Sequence, residues 1–419
     1  MLNKKKYNYS FNYGFNSKIK NPNNLQRLIE LCKSNYNVIG NGYSYNDASI
    51  GKNPISLKNF KRILNFNVKK KTIEAESGIL LDELLKITLK KKLIIKSLPG
   101  SRFVTLGGII ANNTQGKTLK KCFIRDYIIS LKILHNRRII DCSLNKNRKL
   151  FHATIGGKGC TGIIISAKLK LDKIHNNSIT LEKVFFDNIE EIDLILKKLK
   201  KSDYLVAWID NLSKNLDGII FFAKHVKNLP YKKQKPIIKI PQILIYFLNT
   251  ISFRRFFTFF FNKIFKFKNY LRKKITYHIF DFFFIQDTIK NWNEVFRNKG
   301  FFQYQFTCEY SELFTLVRKL QVVMNENKIF SIFMIIKFYK KNKITYNSVS
   351  YDICKNSNFN DTCKILNKFS NKHNLNISLS KDSIISNLNK KTKNSNDFLT
   401  YGIYDKNFNS KFLKRIINK

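Results

Sequence analysis

A chain of 419 residues, 43% hydrophobic and 25% charged, is long enough for two or three domains and has the make-up of a folded protein, which excludes a disordered one. Its formal net charge of +49 would suit a polyanion such as nucleic acid, anionic lipid or a phosphorylated substrate. The lysines are scattered, however, and Lys, Asn, Ile and Phe are abundant together, so compositional drift is the preferred reading and no specific nucleic-acid site is expected.

Met1 to Tyr13 is polar and lysine-rich without an apolar core, which argues against a signal peptide. Helical spacing runs from Asn24 to Cys32, a short strand covers Asn37 to Ile39, and Gly40 opens a glycine turn. Thr72 to Glu76 reads as a strand, followed by a helix from Leu80 to Leu89 that Gly78 and Asp82 help to start. After Pro99-Gly100 a glycine-interrupted stretch reaches Lys117. Two β-rich runs, Ile128 to Leu134 and Arg138 to Cys142, are joined by a hairpin placed at His135-Asn136. Gly156 to Gly162 leads into a strand over Ile163 to Leu171. Near Asn176 glycines thin out and aromatic residues rise, with an irregular crossing from Pro230 to Pro241.

The stretch Ile240 to Phe267 is apolar but broken by Asn249, Arg254, Arg255, Asn262 and Lys263, short of the roughly 20 apolar residues a membrane span needs. It reads as an amphipathic helix, either lying on a membrane surface or packed on its own domain. Strand-like runs return at Phe301 to Thr307 and Ile329 to Tyr339, with a helix over Tyr310 to Asn325 between them. Seven dispersed cysteines without a C-x-x-C, and six dispersed histidines without H-E-x-x-H or H-x-H, give no metal site and no disulfide framework. A cytoplasmic location, peripheral on the membrane, is expected.

Three segments carry the chemical signal. Gly40-Asn41-Gly42-Tyr43-Ser44-Tyr45-Asn46-Asp47 allows a tight turn whose backbone N–H groups converge on an anion. Pro99-Gly100 through Thr105-Leu106-Gly107-Gly108 to Asn112-Asn113-Thr114-Gln115-Gly116-Lys117 has paired glycines for close approach to a pyrophosphate. Ala153 to Ile164 is denser in glycine than a hairpin requires. No G-x-x-x-x-G-K-[ST] Walker A loop occurs.

Taken in order, these segments resemble the PCMH-type FAD-binding domain of the vanillyl-alcohol-oxidase superfamily. Within it they look most like the decaprenylphosphoryl-ribose 2-epimerase oxidative-subunit group. Phe151 to Gly157 is similar to that group's strand-turn, and Trp208-Ile209-Asp210, Trp292-Asn293, Phe302 to Phe306, Lys381-Asp382-Ser383, Tyr404-Asp405 and Phe408-Asn409-Ser410 fall in corresponding places. The resemblance implies an α+β fold: a two-subdomain PCMH-type FAD-binding domain over 1–178, a substrate domain with an antiparallel sheet flanked by helices over 179–375, and a return segment over 376–419 completing the FAD domain. It implies non-covalent FAD held by Gly40 to Asp47, Gly100, Thr105 to Gly108, Asn112, Asn113, Gln115, Gly157, Gly162, Ile164 and Lys381. Lys381 would sit beside the flavin's pyrimidine edge, where a cation stabilises the charge of the reduced ring. Gln303, Gln305, Lys337 and Ser350 would face the substrate.

Departures from that group are specific. Gln115 replaces a histidine and cannot take a proton at neutral pH, so Lys381 or Lys117 would handle the hydroxyl proton. Ser350 replaces a cysteine, Ser378 an aromatic residue, and Arg125 a glycine. Tyr43 stands where several sugar-lactone oxidases carry a flavin-linked histidine, hence the non-covalent expectation. The expected function is oxidation of a secondary sugar hydroxyl, on a sugar or lipid-linked sugar phosphate such as a polyprenyl-phosphoryl pentose, as the oxidative half of an epimerisation. A keto-reductase of the short-chain dehydrogenase type would complete it. The alternatives are an aldonolactone-type sugar oxidase using oxygen, and a non-catalytic polybasic protein on a flavoprotein fold.

Overall fold

The computed structural model describes every residue except 1–5, 199–201, 227–235, 249–250, 299, 342–343, 356–357, 382–396 and 418–419. Two compact units emerge: the first comprises residues 1–116, 123–174 and 383–419, and the second residues 117–122 and 175–382.

In the first unit, five antiparallel strands lie in the order Ile63–Asn67, Thr72–Glu76, Ile163–Lys170, Ile128–His135 and Arg138–Ser143. A separate parallel pair, Asn37–Ile39 with Pro54–Ser56, supports the first glycine loop. The helix Leu81–Leu89 buries Leu81, Leu84, Leu85, Thr88 and Leu89, an i, i+3, i+4, i+7, i+8 stripe. Its start is fixed by Glu83, whose carboxylate accepts the Leu80 N–H at 3.1 Å. The hairpin turn is Asn136-Arg137, one residue beyond the expected place; both have positive φ, 47° and 66°, as a two-residue primed turn requires.

One expectation is corrected. The stretch Phe151 to Gly157 is not a strand-turn, because Arg148–Thr154 forms a helix. Leu150, Phe151, Ala153 and Thr154 are buried along one side, and the Thr154 hydroxyl donates to the Leu150 carbonyl at 2.8 Å. Gly156, at φ 89°, then ends the helix in the left-handed conformation that a glycine adopts without penalty.

The second unit is built on an eight-stranded sheet: Lys274–His278, Ser178–Phe186, Gly218–His225, Tyr204–Ile209, Ser331–Lys341, Ile344–Cys354, Phe301–Glu309 and Asn376–Ile377. Every pairing in it is antiparallel. Helices Leu313–Glu326 and Phe359–Lys372 accompany it, the first burying Leu313, Leu316, Val317, Leu320 and Met324. Residues 117–122 reach this unit by backbone bonds: the Leu205 N–H donates to the Lys117 carbonyl at 2.9 Å and the Lys340 N–H to the Leu119 carbonyl at 2.8 Å. The fold is α+β. No helix among the described residues is long and apolar enough to cross a membrane, and all seven cysteines are free thiols.

Candidate functional site

The strand Asn37–Ile39 delivers the chain into the first glycine loop. Gly42 has φ 78°, and a Cβ added there would meet nothing within 4 Å, so that side of the loop is open. The N–H groups of Gly40, Asn41, Gly42 and Ser44 have no acceptor among the described residues. A glycine turn with unsatisfied amides fits an anionic group. Ser44 is less free than its sequence position implied, since its hydroxyl donates to the Asn46 side chain at 2.8 Å. Tyr43 stacks on Tyr9 with ring centroids 4.9 Å apart, and Tyr45 meets the same ring edge-on. At the loop's end Asp47 is fully buried and is gripped by Arg415, Nε to Oδ2 at 3.1 Å and an outer guanidinium nitrogen to Oδ1 at 2.9 Å. The pairing neutralises an acid that would otherwise repel a diphosphate.

The second segment packs against the first. A Cβ on Gly40 would lie 2.7 Å from the Thr105 hydroxyl, and the Asn41 amide donates to the Phe103 carbonyl at 2.8 Å. The N–H groups of Leu106, Gly107 and Gly108 are committed, to the Ile79 carbonyl, the Ser77 carbonyl and the Thr105 hydroxyl. This stretch therefore shapes the cradle by closeness; Gly107 would need 3.0 Å to Ser77 if it carried a Cβ. Gly100 precedes Ser101, whose hydroxyl accepts the Phe103 N–H at 3.2 Å. Asn112 caps the helix Leu106–Ala111, and its side chain donates to the Gly108 carbonyl at 3.0 Å. Asn113 has φ 43° and accepts the Arg125 N–H, while Gln115 pairs through its backbone with Phe123.

The third segment closes on the same helix. The Gly156 N–H donates to the Ile110 carbonyl at 3.0 Å and the Lys158 N–H to the Ala111 carbonyl at 2.9 Å. Gly157 and Gly162 have no room for a side chain, with a Cβ falling 2.3 Å from the Ala153 carbonyl and 2.2 Å from the Leu134 carbonyl. Ile164 is buried in the strand that follows. Two cations stand on consecutive carbonyls here: Arg125 donates to Ile155 at 3.3 Å and Lys158 Nζ to Gly156 at 2.8 Å. Burial lowers Lys158 to about 7, with a smaller push from Arg125 and an opposing pull from Cys160. Lys158 was missed in the sequence, although a lysine between Gly157 and Gly159 was its signal; Arg415 left no local signal at all. Open amides beside a neutralised carboxylate fit the diphosphate of a dinucleotide.

In the second unit, strand register assembles a different group. Gln303 faces Asp352 and Gln305 faces Ser350 across one pairing, and Lys337 faces Ser348 across the next. With a side-chain period of two, Gln303, Gln305, Lys337, Ser348, Ser350 and Asp352 share one face of the sheet. Gln305 Nε2 donates to the Ser348 hydroxyl at 2.6 Å, and Gln303 donates to the Asp352 carboxylate. Burial raises the Asp352 carboxyl above the usual carboxylate range, opposed by the Gln303 bond and by Lys381. Lys381 follows a turn in which its N–H donates to the Ser378 carbonyl at 3.0 Å, and the Ser378 N–H donates to the Gln305 carbonyl. Burial lowers Lys381 below the ordinary lysine range, Lys337 adding repulsion and Asp352 opposing it.

Lys117 completes the group. Its Nζ donates to the Phe282 carbonyl at 3.0 Å and the Phe283 carbonyl at 3.3 Å, 5.0 Å from the centre of the Phe282 ring. Burial first, then the charge of Lys337, brings it down to about 7. Burial likewise lowers Lys337 to about 8. The structure thus gathers Lys117, Lys337, Lys381, Gln303, Gln305 and Ser350 in one unit, and adds Ser348 and Asp352, which sequence reading did not single out. Gln115 belongs to the other unit. No group of His, Cys, Asp and Glu suited to a metal occurs among the described residues.

Residues 18–139 match the family described as FAD binding domain. This segment of the chain is thus an FAD binding domain, in keeping with the PCMH-type class that the glycine segments resemble, and the cofactor is FAD. Among characterised proteins it is 25% identical to decaprenylphosphoryl-beta-D-ribose oxidase of Mycolicibacterium smegmatis over 287 residues, 64% of this chain and 61% of that one. It is 28% identical to L-gulonolactone oxidase of Bos taurus over 197 residues, 46% of this chain and 43% of the relative. With mitochondrial L-galactono-1,4-lactone dehydrogenase of Arabidopsis thaliana it shares 24% over 196 residues, 45% of this chain and 32% of the other. The matched regions thus span less than two thirds of these relatives' own lengths.

Proposed function

We propose that this chain is an FAD-dependent oxidoreductase that oxidises a secondary hydroxyl of an anionic sugar, of which a polyprenyl-phosphoryl pentose is the favoured example. The observation that carries this reading is a cluster of three half-buried lysines, Lys117, Lys337 and Lys381, of which Lys337 shares a sheet face with Gln303, Gln305 and Ser350. Bound FAD supplies two-electron acceptance. Three half-buried amines with one carboxylate beside them suit a substrate bringing its own negative charge, while the glutamines and serines suit sugar hydroxyls.

Proton removal falls to Lys117. A neutral lysine has two N–H bonds and a lone pair; the Phe282 and Phe283 carbonyls take the first two, leaving the lone pair for the hydroxyl proton. With a pKa near 7 it is neutral often enough to act at physiological pH. Lys381 is assigned the cation that favours the reduced cofactor, and Tyr43 in place of a histidine leaves the cofactor non-covalent. The oxidised product would pass to a short-chain-type keto-reductase if the reaction is half of an epimerisation.

The purified protein is expected to be yellow, and its flavin bands to bleach anaerobically with lipid-linked or phosphorylated sugars but not with neutral ones. A colourless protein that takes up no FAD would overturn the reading. The identity shared with L-gulonolactone oxidase supports a second reading, oxidation of a free aldonolactone with oxygen. Rapid peroxide formation with free lactones would select it.

A further inference from the structure

The helix Ile251–Tyr270 is apolar on both sides. Its inward side is mixed: Thr258, Asn262 and Asn269 are buried, at i, i+4 and i+11, beside half-buried Phe261 and Phe265, whose rings meet Phe333 and Trp208. The Asn262 amide donates to the buried Asp210 carboxylate at 2.8 Å, and Lys266 pairs with Asp217. The outward stripe is apolar. Phe256, Phe260, Ile264, Phe267 and the following Leu271 recur at i, i+4, i+8, i+11 and i+15, and each is between 46% and 65% exposed. The preceding helix Gln242–Leu248 adds Ile243, Tyr246 and Phe247, also exposed. Water-facing stripes of this size on single chains mark interaction surfaces, because each ring left in water forfeits its transfer free energy.

Charge identifies what covers the stripe. From Gly218 to Phe280 the sequence has fourteen Lys or Arg and no Asp or Glu. Exposed Arg255, Lys263, Lys268, Arg272 and Lys273 flank the phenylalanines. A second copy docked on this face by two-fold symmetry would set cation against cation. A bilayer with anionic headgroups satisfies both features, taking the rings into the headgroup–acyl boundary and the amines onto phosphates.

We infer that the helices Gln242–Leu248 and Ile251–Tyr270 form a docking surface for an anionic membrane, with Phe256, Phe260, Ile264 and Phe267 entering the lipid interface. The inference stands apart from the oxidoreductase reading, which the flavin spectrum decides. The full chain is spun with vesicles of phosphatidylcholine alone or mixed with phosphatidylglycerol. Wild type is expected to sediment with the mixed vesicles, weakly with neutral ones, and less at high salt. The triple variant Phe256→Ser, Phe260→Ser, Phe267→Ser is expected to lose at least about tenfold in partitioning while keeping its circular dichroism and flavin spectrum. Lys263→Glu with Lys268→Glu is expected to weaken only the anionic component. Equal binding to both vesicle types, or a triple variant that partitions like wild type, overturns the inference. So does a wild-type dimer in light scattering that the triple variant dissolves, with no vesicle binding by either.

Discussion

Lys117 is an amine held where charge is expensive, and that has consequences in both binding and stability. Its folded pKa, about 7, lies below the ordinary lysine value of 10.5. Between those two pH values the unfolded chain keeps a proton that the folded chain has released, so folding stability gains with rising pH across that window. Below pH 7 the residue is charged in both states and the burial cost is present in full. Lys117→Met is therefore expected to raise stability more at pH 6 than at pH 10, as urea unfolding at the two values would measure. The same variant is expected to slow anaerobic flavin reduction by about 10²-fold or more, and the wild-type rate to climb through pH 7 as the amine becomes neutral. A wild-type rate that is flat from pH 6 to 8 would remove Lys117 from the role of base. Arg415 acts differently. Arg415→Met leaves Asp47 buried without its partner and is expected to cost about 3 kcal/mol in urea unfolding. Adding Asp47→Asn should recover part of that loss.

At the scale of single elements, the two kinds of glycine in the cradle separate folding from binding. Gly162 has φ 119° and its Cβ would fall 2.2 Å from the Leu134 carbonyl, so Gly162→Ala is expected to prevent stable folding. Gly42 has φ 78° with open space beyond it. Gly42→Ala is expected to cost only about 1–2 kcal/mol of stability yet to weaken FAD at least tenfold, read by fluorescence titration of the apoprotein. Much of the element pattern was visible in the sequence because periodicity declares it: the Leu81–Leu89 stripe and the alternation in Phe301–Glu309 both show without a partner strand. The helix Arg148–Thr154 was hidden because only seven residues precede a glycine cluster, too few turns for a period to assert itself. The glycine segments made the proposed cofactor cradle legible, since few other chemistries need so many residues without side chains. Ser348 and Asp352 were illegible for another reason: only register reveals that they share a face with Gln303, Gln305 and Lys337. Arg415 could not be found at all, as nothing local ties it to a loop so far away.

For the whole molecule, a net charge of +49 acts at long range whatever its origin. Non-specific binding to DNA or heparin is expected at low salt, without sequence preference, and is expected to fall steeply as salt rises. A filter-binding titration at two ionic strengths would show it, and binding that survives high salt would point to a specific site instead. The chain passes between its two units at 116, 122, 174 and 382, so neither is a continuous piece of sequence. Within the first unit the Asp405 carboxylate accepts the Asn136 N–H at 2.6 Å, and the Tyr36 N–H donates to the Asn407 carbonyl at 2.9 Å.

The bond between Asp47 and Arg415 joins residues 368 positions apart. During synthesis, the loop that would receive the diphosphate emerges with a bare carboxylate at its base, and its neutralising guanidinium leaves the ribosome only 368 residues later. A diphosphate is thus expected to meet a neutralised loop only once that arginine has been made, and a nascent chain that halts before it keeps the bare carboxylate.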